Sequence, residues 1–332
     1  MQNYANDIVA QVKDACERGK IPVPTLVSES GRAIASHQSV LIFDVLGTNQ
    51  VSVTTPQASA TEEQLVLRNF WETYQSINER NYQETYHDAI QFKDEALSLF
   101  NLGYLTLAER SRAEELYWSC CHKIAQIIRN QDYVPDDLED LEKMMASVYY
   151  INLSVFQSAP DSWAIDQMFP IMPIHRLNEK PTARAILADL TCDSDGKIDS
   201  FIDRRDVKDI LELHTLRGNS DTEPASSPQP YYLGMFLVGA YQEIMGNLHN
   251  LFGDTNVVHI QMTPKGYHIK YVVKGDTIKD VLGYVQYKAE DLLEIMRCRT
   301  ETALEAKRIT LEEAQKLLQN YENSLDSYTY LQ

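Results

Sequence analysis

Residues 61–147 carry a helical pattern that interrupts segments patterned as β-strands, and this arrangement limits the fold more than any other feature. Apolar residues recur every three or four positions in three stretches, as on the buried face of a helix. Each stretch follows a capping-box pair: Thr61 with Gln64, Asn81 with Glu84, Thr106 with Glu109. The stripes are Leu67, Phe70, Trp71, Tyr74 and Ile77; Tyr86, Ile90, Leu97 and Phe100; Ala113, Leu116, Cys120, Ile124, Ile127 and Ile128. The pattern predicts three antiparallel helices and a shorter fourth after Pro135.

The flanking segments are short, rich in β-branched and aromatic residues, and separated by turn residues. The predicted strands are 22–27, 39–45, 51–54, 185–190, 231–237, 257–262 and 267–273. Residues 217–230 are polar and are predicted to form a loop, and helical patterning returns after about residue 275, with Thr310 and Glu313 as a further capping pair. The chain is therefore predicted to fold as a β-domain interrupted by a helical bundle and followed by helices.

Charge and hydropathy exclude several classes of partner. Lys and Arg number 30 against 48 Asp and Glu, and the net charge of −18 repels nucleic acids and anionic membranes but suits a cationic small molecule. No apolar stretch is long enough to span a bilayer, and the start MQNYANDIVAQV lacks a signal core, so we expect a cytoplasmic protein. The five cysteines show no C-x-x-C spacing, which favours reduced thiols over a zinc site.

Residues 188–201, ADLTCDSDGKIDSF, superficially resemble a calcium-binding loop. With Gly196 at loop position 6, the ligand positions 1 and 12 fall on Thr191 and Ile202, so two strong ligands are missing and no metal site is predicted. A β-hairpin explains the segment better, with a strand at 185–188, a turn at Asp195–Gly196 and a return strand that starts with Ile198 to Ile202. This places Cys192 and Asp193 at the end of a buried strand.

Three segments carry polar residues that a structural role does not explain: VSESGRAIASH at 27–37, LTCDSDGKID at 190–199 and GAYQEIMGNLHN at 239–250. In the first, Gly31 would allow a ligand to approach the backbone, and Arg32 could bind a phosphate. The alternative is that Glu29 and Arg32 form an ordinary surface ion pair. His37, His175 and His249 are expected to be structural histidines.

Taken together, these segments resemble biosynthetic arginine decarboxylases. The resemblance extends from QNYANDIV through FPIMPIHRLNEKPTARAILADLTCDSDGKID and YYLGMFLVGAYQEIMGNLHNLFGDT to YTYLQ, nearly the whole chain. It implies conversion of L-arginine to agmatine and CO2 in polyamine biosynthesis, with pyridoxal 5'-phosphate as cofactor and magnesium as a second candidate. It also implies an α+β fold, in which a β-barrel domain with an inserted helical bundle and C-terminal helices follows the last helix and strand of a TIM barrel.

The domain boundaries expected from this resemblance are 1–32 for the TIM-barrel remnant and 33–60 with 148–274 for the β-barrel domain. The inserted bundle would occupy 61–147, and the C-terminal helical region 275–332. The resemblance further implies a homo-oligomer whose active sites are shared between subunits.

The resemblance also assigns roles to individual residues. Glu29 would pair with the pyridine nitrogen of the cofactor, and Gly31 would lie beside it. Arg32 and Tyr241 would bind the cofactor phosphate.

Two further residues would act on the substrate. Cys192 would return a proton to the substrate Cα after loss of CO2, and Asp193 would bind the cationic end of arginine. In this family, these two residues reach into the active site of the other subunit.

Two parts of the family pattern are missing. The first is the glycine-rich phosphate loop, since none of the 13 glycines are adjacent, and the second is the Schiff-base lysine. The family's Schiff-base lysine lies in a segment like P-I-K-V-N, which this sequence lacks; the strand-like Lys270 and Lys274 come too late in the chain. We therefore expect the chain alone to be inactive. It is either the C-terminal portion of a decarboxylase or a non-catalytic module that docks on a complete subunit and regulates it.

Overall fold

The computed structural model describes residues 2–50, 55–58, 63–128, 131, 135–138, 140–203, 206–216 and 229–331. The predicted strand at 51–54, the predicted cap at Thr61 and most of the polar loop 217–230 lie outside these residues. The described residues confirm the predicted α+β fold, which combines a barrel-like sheet, a helical bundle and C-terminal helices.

The helices are α1 (Gln2–Gly19), α2 (Gly31–Ala35), α3 (Leu65–Ser76), α4 (Tyr82–Asn101), α5 (Leu107–Ile128), α6 (Leu141–Met144), α7 (Val155–Ser158), α8 (Pro160–Ala164), α9 (Gln242–Met245), α10 (Ile278–Tyr284), α11 (Ala289–Glu305) and α12 (Leu311–Leu325). Single 3-10 turns occupy Ser36–Gln38, Asp136–Leu138 and His249–Leu251. The strands are β1 (Val40–Asn49), β2 (Ser147–Ile151), β3 (Ile171–Pro173), β4 (Ala183–Ala188), β5 (Lys197–Ile198), β6 (Phe201–Ile202), β7 (Val207–Lys208), β8 (Leu211–Leu213), β9 (Tyr232–Phe236), β10 (Val257–Thr263) and β11 (Gly266–Val273).

The main sheet has seven strands in the order β3-β9-β1-β2-β4-β5, with β8 also pairing with β4. Only the β2–β4 pair is parallel among these described strands. The inner face of the main sheet forms one hydrophobic core, in which Tyr149, Leu187 and Leu233 are fully buried. The sheet thus supplies a rigid base for the loops at its ends.

The helical bundle is inserted between β1 and β2, which are direct antiparallel neighbours in the sheet. Helices α3, α4 and α5 confirm the three predicted helices, and they pack around a second hydrophobic core that includes Phe70, Leu116 and Ile124. The predicted capping box at Thr106 and Glu109 is formed, because each residue's backbone N–H donates to the other's side chain. Asn81 does not cap its helix; its side chain instead accepts from the N–H of Asn78.

The predicted strand at 22–27 is not formed. Residues 21–30 have no regular secondary structure, and their apolar side chains are exposed, including Ile21, Val23 and Val27. A strand persists only when a neighbour satisfies its backbone hydrogen-bonding groups, and none of the described strands pairs with this segment. Gly31 and Arg32, which follow this segment, begin helix α2.

The C-terminal helices return to the β-domain. Thr310 and Glu313 form the predicted capping box of α12, and Thr277 and Asp280 form another at α10. Beyond α12, Leu331 exchanges two hydrogen bonds with the Asn152 side chain, with lengths of 2.7 and 3.1 Å. Within the residues the structure describes, no helix combines the length and apolar character needed to cross a membrane.

Candidate active site

Of the three polar segments singled out in the sequence, 239–250 contacts both of the others. The backbone N–H of Gly239 donates to the Ser36 carbonyl at 2.8 Å, and the Gln38 amide donates to the Gly239 carbonyl at 2.9 Å. At the far end of the segment, Asn250 accepts a hydrogen bond from the backbone N–H of Cys192 at 3.1 Å. The segment therefore links the predicted cofactor residues to the predicted catalytic loop.

Cys192 and Asp193 lie in the loop of the predicted hairpin. Strands β4 and β5 pair in an antiparallel register, with Leu187 opposite Ile198, and the N–H of Gly196 closes the turn on the Asp193 carbonyl at 3.1 Å. The return strand is shorter than predicted, because it ends at Ile198 and Phe201–Ile202 pairs with β7 instead. The Cys192 and Asp193 side chains are exposed.

The buried carboxylate of Asp189 organises this loop. One of its oxygens accepts from the N–H and hydroxyl of Thr191 at 2.8 and 2.7 Å, and the other accepts from the N–H of Val155 at 2.8 Å. Burial raises the pKa of Asp189, and the hydrogen bonds from Thr191 and Val155, together with nearby His249, oppose the shift only in part. A Cβ at position 196 would collide with both the Asp189 carboxylate and the Thr191 hydroxyl, so glycine is required there.

Three of the four predicted cofactor residues cluster at the start of α2. A Cβ at Gly31 would lie 2.6 Å from the Tyr241 hydroxyl, so that hydroxyl reaches the glycine backbone. The Arg32 guanidinium carbon lies 5.1 Å from the centre of the Tyr241 ring. Glu29 lies in the irregular segment before α2, with an exposed side chain, and among the described residues it makes no hydrogen bond or ion pair with the other three.

A buried aspartate that the sequence did not indicate holds Arg32. The Asp161 carboxylate accepts from Arg32 Nη1 and from the Gln242 amide, both at 2.6 Å, and Gln242 in turn accepts from the Asp161 N–H at 3.1 Å. Burial favours a raised pKa for Asp161, but the hydrogen bonds from Arg32 and Gln242 and the charge of Arg32 outweigh burial and lower the pKa. The Arg32 side chain remains 41% exposed.

This cluster suits an anionic group. Guanidinium and phenol hydroxyl groups are strong donors to phosphate oxygens, and a glycine backbone allows close approach. The arrangement therefore supports a phosphate-binding role for Gly31, Arg32 and Tyr241 better than the alternative surface ion pair between Glu29 and Arg32, which is not formed in the described structure.

Replacing Asp161 with asparagine is expected to lower the free energy of unfolding at pH 7 by about 1–2 kcal/mol. This range is the contribution of a hydrogen bond between charged groups, reduced because Arg32 is partly exposed to solvent. Because the folded-state pKa of Asp161 is lowered, its stabilisation is present above the unfolded pKa of about 3.9 and is lost as pH falls through the folded value. The difference in the free energy of unfolding between the parent chain and the variant should therefore be smaller at pH 2 than at pH 7.

Urea unfolding of both proteins at pH 7 and pH 2 measures this difference. Glu17→Gln, which removes the exposed ion pair with Lys13, is the control and should change stability by less than about 0.5 kcal/mol. An equal deficit at both pH values would show that the lost interaction is not the ion pair with Arg32.

Comparison with known proteins identifies the family. Residues 60–142 match the arginine decarboxylase helical bundle domain, and residues 278–331 match the arginine decarboxylase C-terminal helical extension. Biosynthetic arginine decarboxylases of Thermosynechococcus vestitus and of a Nostoc species are each 69% identical to this chain over its whole length. The chain belongs to the arginine decarboxylase family.

The chain spans about half the length of these relatives, covering 50% of the Thermosynechococcus protein and 47% of the Nostoc protein. The crystal structure of the Campylobacter jejuni biosynthetic arginine decarboxylase matches 99% of this chain with a TM-score of 0.78 and 32% identity, and 52% of that structure is covered. The bundle and the C-terminal helices are thus features of the arginine decarboxylase family.

Four residues that support the site escaped the sequence analysis. Gln242 and Asn250 lie inside the polar segment 239–250, and Asp189 directly precedes the polar segment 190–199. Each of the three was therefore within or next to a segment that the sequence analysis had singled out. Asp161 had no such signal, since it lies in a helix of five residues that is far from Arg32 in the sequence.

Proposed function

We propose that this chain is the C-terminal portion of an arginine decarboxylase subunit, which converts L-arginine to agmatine and CO2 in polyamine biosynthesis. The observation that carries the proposal is the 69% identity to named biosynthetic arginine decarboxylases along the entire chain. The boundaries 1–32, 33–60 with 148–274, 61–147 and 275–332 are part of the proposal.

The cofactor role rests on the cluster around Arg32. Pyridoxal phosphate, when bound, withdraws electrons from the bond to the carboxylate that leaves as CO2. Arg32 and Tyr241 would hold its phosphate beside Gly31, and the ion pair with Asp161 would keep the guanidinium in place. Glu29 would hold the proton on the ring nitrogen.

The substrate role rests on the hairpin loop. The Cys192 thiol would give its proton to the substrate Cα after CO2 has left, as a positioned general acid. The Asp193 carboxylate would bind the guanidinium of arginine. Within one chain, no described hydrogen bond or ion pair joins Cys192 or Asp193 to the Arg32 cluster, which supports the proposal that the loop serves the site of a second subunit in a homo-oligomer.

The proposal is tested in a completed enzyme, in which the N-terminal half of the Thermosynechococcus relative precedes this chain. The completed enzyme should form agmatine from arginine, and the 332-residue chain alone should not, because the Schiff-base lysine belongs to the segment it lacks. Asp193→Ala in the completed enzyme should raise KM for arginine about 10- to 100-fold with agmatine still the product, as expected when a charge partner is lost.

Asp195→Ala is the matched control, because Asp195 is exposed in the same loop and its carboxylate makes no hydrogen bond or ion pair in the described structure. Its KM should stay within about twofold of the parent enzyme. Equal KM values for the two variants would remove Asp193 from the substrate site, and agmatine formation by the chain alone would refute the expected inactivity.

A further inference from the structure

The Asn250 side chain binds Cys192 at two points. Its Oδ1 atom accepts from the Cys192 backbone N–H at 3.1 Å, and its Nδ2 atom donates to the Cys192 Sγ atom at 3.5 Å. The first bond fixes the orientation of the amide, because a backbone N–H can only face the oxygen. The N–H groups of the amide must therefore point toward the sulfur.

The backbone around Asn250 is held in an unusual conformation. Asn250 has φ 54° and ψ 21°, and Leu251 has φ 59°, so two consecutive residues other than glycine lie in the left-handed region. Asparagine tolerates this region, whereas leucine rarely adopts it. The loop is fixed by the His249 ring, which stacks on Phe156 at 4.3 Å, and by the Asn247 N–H, which donates to the Phe156 carbonyl at 3.1 Å.

His249 faces Asp193, the residue next to Cys192 in the hairpin loop. Its Nε2 atom lies 3.8 Å from the Asp193 carboxylate and, among the described residues, is buried without a hydrogen-bond partner. His175, by contrast, accepts from the Tyr232 N–H at 2.9 Å, as a structural histidine should. Two neighbouring residues of the segment 239–250 thus face two neighbouring residues of the hairpin loop.

We infer that Asn250 is a positioning residue for the Cys192 thiol. When the proton leaves Sγ for the substrate Cα, the electron pair of the S–H bond stays on sulfur, and the Asn250 N–H then donates to a thiolate. A donor of this kind favours the charged form of its partner. The part of this inference that concerns proton transfer rests on the proposed function; the hydrogen bond between Asn250 and the sulfur does not.

The rate of Cys192 alkylation tests the inference on the 332-residue chain without arginine or cofactor. The thiolate is the form that reacts, so the rate follows its stabilisation. Asn250→Asp keeps an oxygen for the Cys192 N–H but replaces the donor that faces the sulfur with a carboxylate oxygen. Asn250→Gly removes the side chain and keeps the left-handed backbone accessible.

Neutral iodoacetamide is the reagent, and peptide mass spectrometry measures the modification of Cys192 and of exposed Cys298 between pH 6 and 10. Cys298 lies in α11 and is the internal control. Relative to Cys298, we expect Asn250→Asp to slow Cys192 alkylation at pH 8 about tenfold, because a carboxylate oxygen facing the sulfur disfavours the thiolate. Asn250→Gly should slow it about three- to tenfold, the range for one lost hydrogen bond.

A merely structural role predicts no slowing. If Asn250 only supports the loop, its removal leaves the exposed thiol at least as accessible as before, so alkylation is unchanged or faster at every pH. Acceleration, or an unchanged rate in either variant, would overturn the inference. Because the assay needs no turnover, a failure of the proposed decarboxylase function would appear separately, as loss of agmatine formation in the completed enzyme.

Discussion

Replacing Cys192 with alanine in the completed enzyme is expected to slow agmatine formation by about 10²- to 10⁴-fold, the range for loss of a positioned general acid. The substrate Cα must gain a proton before the product can leave, and alanine cannot supply it. Cofactor binding should survive, because Cys192 makes no described contact with the Arg32 cluster. Steady-state kinetics with agmatine quantification measures the change.

Cys298→Ala is the matched control, since it removes the other exposed thiol without touching the hairpin loop. A Cys192→Ala variant that keeps more than about a tenth of the activity would exclude the thiol as the principal acid.

Mixing Cys192→Ala subunits with subunits that lack the Schiff-base lysine then tests where the residue acts. Free reassortment into dimers should restore about a quarter of the sites if the loop serves the other subunit. No recovery in a mixture that contains heterodimers would place the whole site within one chain.

The second large effect concerns stability. Asp189→Ala should lower the free energy of unfolding by about 3–5 kcal/mol, because the Val155 N–H and both donors of Thr191 lose their acceptor inside or at the edge of the core. Asp193 lies four residues further along the same loop and is exposed. Asp193→Ala should therefore lower the free energy of unfolding by less than about 1 kcal/mol.

Urea unfolding of the 332-residue chain measures both variants, and amide hydrogen exchange locates the damage. In Asp189→Ala, protection of the Val155 and Thr191 amides should fall first, because these amides lose their hydrogen bonds directly. Similar losses of stability for the two aspartate variants would mean that the loop does not depend on the buried carboxylate.

The sequence predicted those parts of the fold that depend on local patterns. The bundle helices follow from apolar stripes, and Thr106 and Thr310 follow from capping chemistry that involves residues only three positions apart. The segment 22–27 has strand-like composition, but a strand depends on a partner elsewhere in the chain, so composition alone misled the prediction.

The same distinction explains the site. Cys192 and Tyr241 stood out because their segments were recognisable. Asp161 did not, because its function comes from an ion pair with Arg32, 129 positions away. Glu29 was placed by resemblance, and no contact in the described structure tests that assignment.

The point of insertion of the bundle also sets an order of folding. Asn49 and Val148 pair across β1 and β2, although the entire bundle lies between them in the sequence. Closing so long an open chain before any strand hydrogen bond forms is slow, because its entropy is lost first. Contacts within the bundle all lie within one continuous stretch of chain, so we expect it to collapse independently and early. Once it has folded, the segment between β1 and β2 is no longer an open chain, so less entropy is lost when the two strands pair.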